Sequence, residues 1–392
     1  MKRSDSVFTR CVHSGIEKSE HHGSVSVPVY NSSLFVFEDA DEGAAIHNYE
    51  KPGYFYSRLG NPTQRALEKS VTELEYTDDA IAFASGMAAI SSAVMAHVGS
   101  GGHLIALTSM YSTSNSLFNY LADNFGVEVT FVNAEDSANY EAAIKENTKL
   151  IWLESPSNPR LNITDLKAVA SIARQRNIIT AADNTFATPF NQNPCVLGVD
   201  MSIHSATKYL GGHSDLSAGV VAGTNESIDR IRHSTNKYLG GNISPQVAWL
   251  VIRGIKTLAL RMERHNSNAY AAANMLKSHP KVKEVFYPGL ETHTNHNIAA
   301  EQMRGFGGMV SFDLGGFDQA RNFVNRLELI SLATSLGGVE SIAQHSAAMT
   351  HATLSEKERA KAGISEGLIR LSVGIEAGED IQKDLISALE NS

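Results

Sequence analysis

The 392-residue sequence predicts an α/β fold in which a mostly parallel sheet is covered by helices on both faces and followed by a smaller α+β C-terminal part. Two observations carry this. Short, nearly continuous apolar runs alternate with amphipathic stretches between about residues 80 and 222, as strands buried on both faces and joined by helical crossovers require. Beyond residue 255 that rhythm gives way to one long helical stretch and a few isolated strand candidates.

Residues 1 to about 60 mix Ser, His, Gly and aromatics without a sustained helical period and read as an extended arm. At Asn61-Pro62-Thr63 a helix begins, with Leu67, Val71 and Leu74 on one stripe, and the apolar strand 80–84 follows it. Further strands are expected at 103–107, 127–132, 150–153, 178–182, 199–203 and 219–222, with helices near 86–97, 113–125, 138–146 and 164–176. Around Arg253-Gly254-Ile255-Lys256 the pattern changes to a helical stretch running to about residue 278. The expected division is an arm at 1–60, a large domain at 61–255 and a C-terminal domain at 256–392. The last contains strand candidates at 308–314 and 368–373 and a helix after Asp318.

Composition narrows the function. Hydrophobic residues make up 42% and charged residues 19%, a globular profile, and the formal charge of -9 argues against nucleic acid and anionic membranes, which are bound by Lys/Arg-rich faces. No apolar run reaches membrane-spanning length, and the start Met1-Lys2-Arg3-Ser4-Asp5 is not followed by the apolar stretch of a secretory signal, so a cytoplasmic location is expected. Cys11 and Cys195 are too few for a disulfide framework. No pair among the 15 histidines has the spacing and acidic neighbour of a hydrolytic zinc site, and His293 and His296 read as solvated loop residues.

Open α/β sheets bind ligands beyond the carboxyl ends of their strands, so the residues after each strand come first. Ser85-Gly86-Met87 leads from a strand into a helix whose free amides can hold a phosphate, although Ser-Gly alone also fits an ordinary helix cap. Glu154-Ser155-Pro156-Ser157-Asn158-Pro159 and Asp183-Asn184-Thr185 follow two later strands, and the next leads to Ser205-Ala206-Thr207-Lys208. Most lysines are solvated surface charges, and an Asp at a strand end is often a turn cap. Together these residues match the needs of a pyridoxal-type cofactor: an amine for its aldehyde, a helix end and hydroxyls for its phosphate, a carboxylate beneath its ring nitrogen and an aromatic face. Lys208, Ser85-Gly86-Met87 with Ser205 and Thr207, Asp183 and Tyr111 supply these in sheet order, though Tyr111 could also be an ordinary half-buried tyrosine.

At these positions the chain resembles the cystathionine γ-synthase/γ-lyase family, the Cys/Met-metabolism branch of pyridoxal-phosphate (PLP) enzymes, which includes methionine γ-lyases and has the aspartate-aminotransferase-like, type I fold. The resemblance spans nearly the whole chain. Its most specific element is Ser205-Ala206-Thr207-Lys208 with Gly212-His213-Ser214-Asp215, supported by Tyr56-Ser57-Arg58, Gly60-Asn61-Pro62-Thr63, the Glu154 to Pro159 run and Asp183-Asn184-Thr185. Ser335-Leu336-Gly337-Gly338-Val339-Glu340-Ser341, Met349-Thr350-His351 and Arg370-Leu371-Ser372-Val373-Gly374-Ile375-Glu376 complete it.

The resemblance implies roles. Lys208 would hold the cofactor as a Schiff base and then move the substrate α proton. Asp183 would keep the pyridine nitrogen charged, and Tyr111 would stack on the ring and act as an acid toward the leaving group. Ser85, Gly86, Met87, Thr185, Ser205 and Thr207 would bind the cofactor, while Asn158, Ser335 and Arg370 would grip the substrate carboxylate. Tyr56 and Arg58 would reach the phosphate of a neighbouring subunit, implying a homotetramer built as a dimer of dimers with shared active sites.

The resemblance also frames the substrate. The cystathionine γ-lyase branch implies acidic residues at the positions of Phe55 and Thr334 and an arginine at that of Ser116, and here all three are uncharged. Drift, or a distal group held by Asn236 or Lys237, would explain this too. A pocket for a short uncharged tail favours a methionine γ-lyase-like α,γ-elimination giving 2-oxobutanoate, a thiol and ammonia. Thr113 stands where methionine γ-lyases carry cysteine, which keeps open a cystathionine γ- or β-lyase, a cystathionine γ-synthase or an O-acylhomoserine sulfhydrylase. A transaminase of the same fold and a non-catalytic PLP-binding module fit the motifs less well.

Overall fold

A computed structural model describes residues 6–17, 19–349, 359 and 363–392, so Met1 to Asp5 and the Thr350-His351 part of one motif lie outside the described residues. The large sheet contains β1 (Asp79–Phe83), β2 (His103–Leu107), β3 (Glu128–Val132), β4 (Thr148–Glu154), β5 (Ile179–Asp183), β6 (Met201–His204) and β7 (Gly219–Gly223), in the order β1-β7-β6-β5-β4-β2-β3. Only β7 opposes the others, because it pairs antiparallel with both β1 and β6 while the remaining pairs are parallel. Each of these strands lies within about two residues of its sequence position. Apart from the edge strand β3, their apolar runs are buried on both faces, which is the pattern a two-sided sheet imprints on sequence.

Before the sheet come α1 (Val7–His13), α2 (Ala40–His47) and α3 (Pro62–Glu75). The first two correct the reading of an arm extended throughout. Val7 and Cys11 fall on one face of α1 and pack into a core shared with Leu67 and Val71, an apolar stripe too short to register as a period. In α2, Asp39 supplies the cap by accepting the Glu42 N–H at 2.8 Å. In α3, Asn61 accepts the Thr63 N–H at 2.9 Å and Pro62 takes the first turn, where a missing donor costs nothing. Crossover helices α4 (Gly86–His97), α5 (Ser112–Phe125), α6 (Ser137–Ala142) and α7 (Leu166–Gln175) flank the sheet, and Trp152 of β4 packs edge-on against Phe118 of α5 at 5.5 Å.

The helical stretch expected from residue 253 onward is two helices, Pro245–Ile255 and Leu258–Ser278, separated at Lys256 and Thr257. A second sheet follows, formed by β8 (Glu284–Phe286), β9 (Met309–Asp313), β10 (Ser331–Leu332), β11 (Ile342–His345) and β12 (Leu368–Ser372) in the order β10-β11-β12-β9-β8. The sequence signals β9 and β12, which are adjacent and antiparallel. It does not signal β8, β10 and β11, whose two to four residues are too short for an alternating pattern. His293 is also not solvated: it is buried, its Nε2 lies 2.9 Å from the Leu161 carbonyl oxygen, and burial pushes its pKa down to about 4. No described helix is long and apolar enough to cross a membrane.

Candidate active site

The carboxyl ends of β1, β2, β4, β5 and β6 open onto a cavity of about 370 Å³, within the range of small-ligand sites. Its wall contains Ser85, Gly86, Met87, Tyr111, Asn158, Asp183, Thr185, Ser205, Thr207, Lys208, Ser335 and Arg370, so it gathers every expected site residue except Tyr56 and Arg58. Those two sit on the exposed arm. Arg58 Nη1 donates to the Lys237 carbonyl at 2.5 Å, and its guanidinium lies over the Tyr56 ring at 5.7 Å.

One end of the cavity is built for an anion. Ser85 caps α4 by accepting the Ala88 N–H at 3.1 Å, which leaves the first-turn amides of Gly86 and Met87 without intrahelical partners at the positive end of the helix dipole. A Cβ on Gly86 would stand 2.7 Å from Ser205 Oγ, so a side chain there would close the cup. The Ser205 N–H donates to Thr185 Oγ1 at 2.8 Å, tying the ends of β5 and β6 together, and Thr207 Oγ1 accepts the Ala218 N–H at 3.0 Å.

Two buried carboxylates form the floor. Asp183 and Glu154 face each other in register on β5 and β4. Burial pushes both pKa values up, that of Glu154 well above the usual carboxylate range with the Asp183 charge adding to the effect. Asp183 Oδ1 accepts the Thr185 N–H at 3.0 Å, a bond that opposes its shift.

Two cations also line the cavity. Lys208 Nζ donates to Ser335 Oγ at 2.6 Å, and burial, aided by the Arg370 charge, lowers its pKa to about 8. Ser335 reaches it from a left-handed backbone, φ 80°, uncommon for a residue with a side chain. Arg370, on β12, is 6% exposed and its pKa falls to about 10 through burial. Its Nη1 donates to Asn158 Oδ1 at 3.0 Å, and Nη2 to the Ser335 carbonyl at 2.9 Å and Gln344 Oε1 at 3.0 Å. Three of its five N–H donors are thus held by neutral acceptors. Among the described residues no carboxylate lies within ion-pair distance of it, although a buried cation without an anion is costly. This donor set suits the carboxylate of a ligand.

These residues fit pyridoxal phosphate: a phosphate-sized cup, an amine of lowered pKa, the Asp183 carboxylate and the half-exposed Tyr111 ring. Three residues used to read the substrate fall elsewhere. Phe55 stacks on Phe37 at 5.1 Å, and Thr113 and Ser116 are exposed on α5 outside the cavity wall, whereas Thr334 lines it. The sequence reading gave Glu154 no role, although its strand-end position was a signal, and it overlooked Gln344, which no motif marks.

The sequence profile of the family described as Cys/Met metabolism PLP-dependent enzyme matches residues 8–390. An L-methionine gamma-lyase of Fusobacterium nucleatum is 45% identical over 393 residues, covering 100% of this chain and 99% of that protein. A cystathionine beta-lyase of Coxiella burnetii is 44% identical over 386 residues, covering 98% of this chain and 97% of that one. Among solved structures, metB from Corynebacterium glutamicum superposes with a TM-score of 0.92 at 40% identity, covering 99% of this chain and 98% of the other. Matched from end to end in sequence and fold, this chain belongs to the Cys/Met-metabolism family of pyridoxal-phosphate-dependent enzymes, with their type I fold.

Proposed function

We propose that the chain is a carbon-sulfur lyase that carries out α,γ-elimination on methionine, consuming water and releasing 2-oxobutanoate, methanethiol and ammonia. One observation carries the reading. The charged groups of the cavity wall are Lys208, Arg370, Asp183 and Glu154, and beyond them the wall is uncharged, with Ile90, Phe186, Leu336 and Thr334 suited to a short thioether.

Bound pyridoxal phosphate supplies the electron sink for charge left on the substrate's α carbon. Asp183 keeps the ring nitrogen protonated, and the Gly86 and Met87 amides with Ser85, Ser205 and Thr207 hold the phosphate. Thr185 holds the Asp183 loop against Ser205. Arg370, with Asn158 and Ser335, takes the substrate carboxylate. Lys208 Nζ removes the α proton and carries it onward, and Tyr111 donates a proton to the departing sulfur.

The decisive measurement is kcat/KM for methionine against cystathionine. Cystathionine brings a second charged amino-acid group into the uncharged wall, so methionine is expected to be favoured by roughly a hundredfold. Equal or better turnover of cystathionine would move the enzyme to the cystathionine lyases, the reading that the Coxiella relative's name favours.

The proposed assembly is a homotetramer made of two dimers, with Tyr56 and Arg58 completing a neighbour's phosphate site. Support comes from the apolar side chains that the arm leaves in solvent: Val25, Leu34 and Val36 are 86%, 66% and 98% exposed. Mixing Arg58→Ala and Lys208→Ala chains should give hybrids with one of two sites intact, and because about half of randomly paired dimers are hybrids the mixture should regain roughly a quarter of wild-type activity. Inactive hybrids despite demonstrated subunit exchange would refute the shared site. The two unpaired cysteines, Cys11 and Cys195, suit a reducing compartment, and a cytoplasmic location is proposed on that ground.

A further inference from the structure

Glu154 lines the cavity, is 4% exposed, and spends both carboxylate oxygens on peptide groups of two different loops. Oε2 accepts the Tyr111 N–H at 3.0 Å, in the loop after β2, and Oε1 accepts the Asn158 N–H at 2.7 Å, in the loop after β4. Asn158 in turn holds Arg370 Nη1 through its side-chain oxygen. One carboxyl group therefore ties the loop of the aromatic ring to the residue that holds the guanidinium.

We propose that Glu154 is a positioning residue for carboxylate recognition: it sets the distance between the Tyr111 face and the Asn158–Arg370 clamp, so that a substrate carboxylate is seated in register with the cofactor plane. The inference rests on the assignment of Arg370 as the carboxylate clamp. A carboxyl group suits this task because each of its oxygens can accept. Glutamine at the same volume keeps one acceptor and turns an NH2 donor toward the other peptide N–H, so one loop must shift. The phosphate cup and Lys208 make no hydrogen bond with Glu154 among the described residues, so cofactor loading is left in place.

The test is a binding titration of the PLP-loaded enzyme, read from the cofactor absorption band. Norleucine has methionine's length and no sulfur leaving group, and pentylamine is norleucine without its carboxylate. Glu154→Gln is expected to weaken norleucine binding about 30-fold, as leaving one buried peptide N–H without its acceptor would, and to leave pentylamine binding and cofactor content near wild type. Glu154→Asp, which keeps the carboxyl group and shortens the reach, is measured alongside and should show the same selective loss, so a poorly folded glutamine variant leaves the inference testable. Equal losses for both ligands, or none for norleucine, in a variant that folds would overturn the role. Arg370→Ala in the same titration separates the two assignments. If it discriminates against norleucine while the folded Glu154 variants do not, only the positioning role falls, and if it binds norleucine as wild type does, the clamp and the inference fall together.

Discussion

Lys208→Ala is expected to lower kcat/KM by about four orders of magnitude, the upper range for loss of a positioned proton-transfer group, while the protein still folds and holds cofactor noncovalently. The side chain crosses from the turn after β6 to Ser335, and removing it leaves the phosphate cup at Ser85, Gly86 and Met87 untouched. Borohydride reduction of the wild type should fix the cofactor to the peptide carrying Lys208, and no such adduct should form in the variant. The amine also sets a pH dependence. Burial favours its neutral form, so its pKa drops from the range of a solvated lysine to about 8, and the group is mainly protonated at pH 7 and mainly neutral at pH 9. Only the neutral amine attacks an aldehyde, so cofactor-free protein should take up pyridoxal phosphate faster as pH rises through about 8. A reduced cofactor recovered on another peptide, or an uptake rate that keeps climbing to pH 10 and beyond, would contradict the assignment.

Arg370→Ala is expected to reduce kcat/KM for amino-acid substrates by more than a hundredfold, since removing one partner of a buried charge-assisted pair costs about 3 kcal/mol or more. Arg370→Lys should recover little of this, because a single ammonium cannot reproduce the planar fork that Asn158, Ser335 and Gln344 orient. Stability should change far less than activity. Truncation breaks three buried hydrogen bonds but also relieves the desolvation of a guanidinium with no carboxylate within ion-pair distance among the described residues, so the melting temperature of the cofactor-loaded, substrate-free enzyme should fall by only a few degrees. A variant that melts far below wild type but keeps its kcat/KM for methionine would identify Arg370 as a structural group instead.

Much of the cavity was legible because a parallel sheet places its chemistry where each strand ends. Ser85, Tyr111, Asp183 and Lys208 follow four separate apolar runs, and the sheet brings these ends to one edge whatever the lengths of the intervening helices. The turn after β6 was legible for a local reason, since hydroxyls and glycines crowd a single lysine there.

What stayed hidden arises from contacts with no local signature. β8, β10 and β11 are too short to show a period, and α1 reveals its apolar face only against α3. Asn158 and Arg370 are 212 residues apart and meet because β12 lies in the second sheet beside β11, which also puts Gln344 against the guanidinium. The sequence alone determined which residue types the chain offers for cofactor chemistry and that they end the strands of an α/β sheet, because burial on two faces imposes a pattern readable within a few residues. The tertiary structure decided that Arg370 is buried with no carboxylate within ion-pair distance among the described residues, that Lys208 leans on Ser335, and that Glu154 joins two loops. Burial and hydrogen-bond geometry depend on atoms far apart along the chain, and only the packed fold brings them within 3 Å of one another.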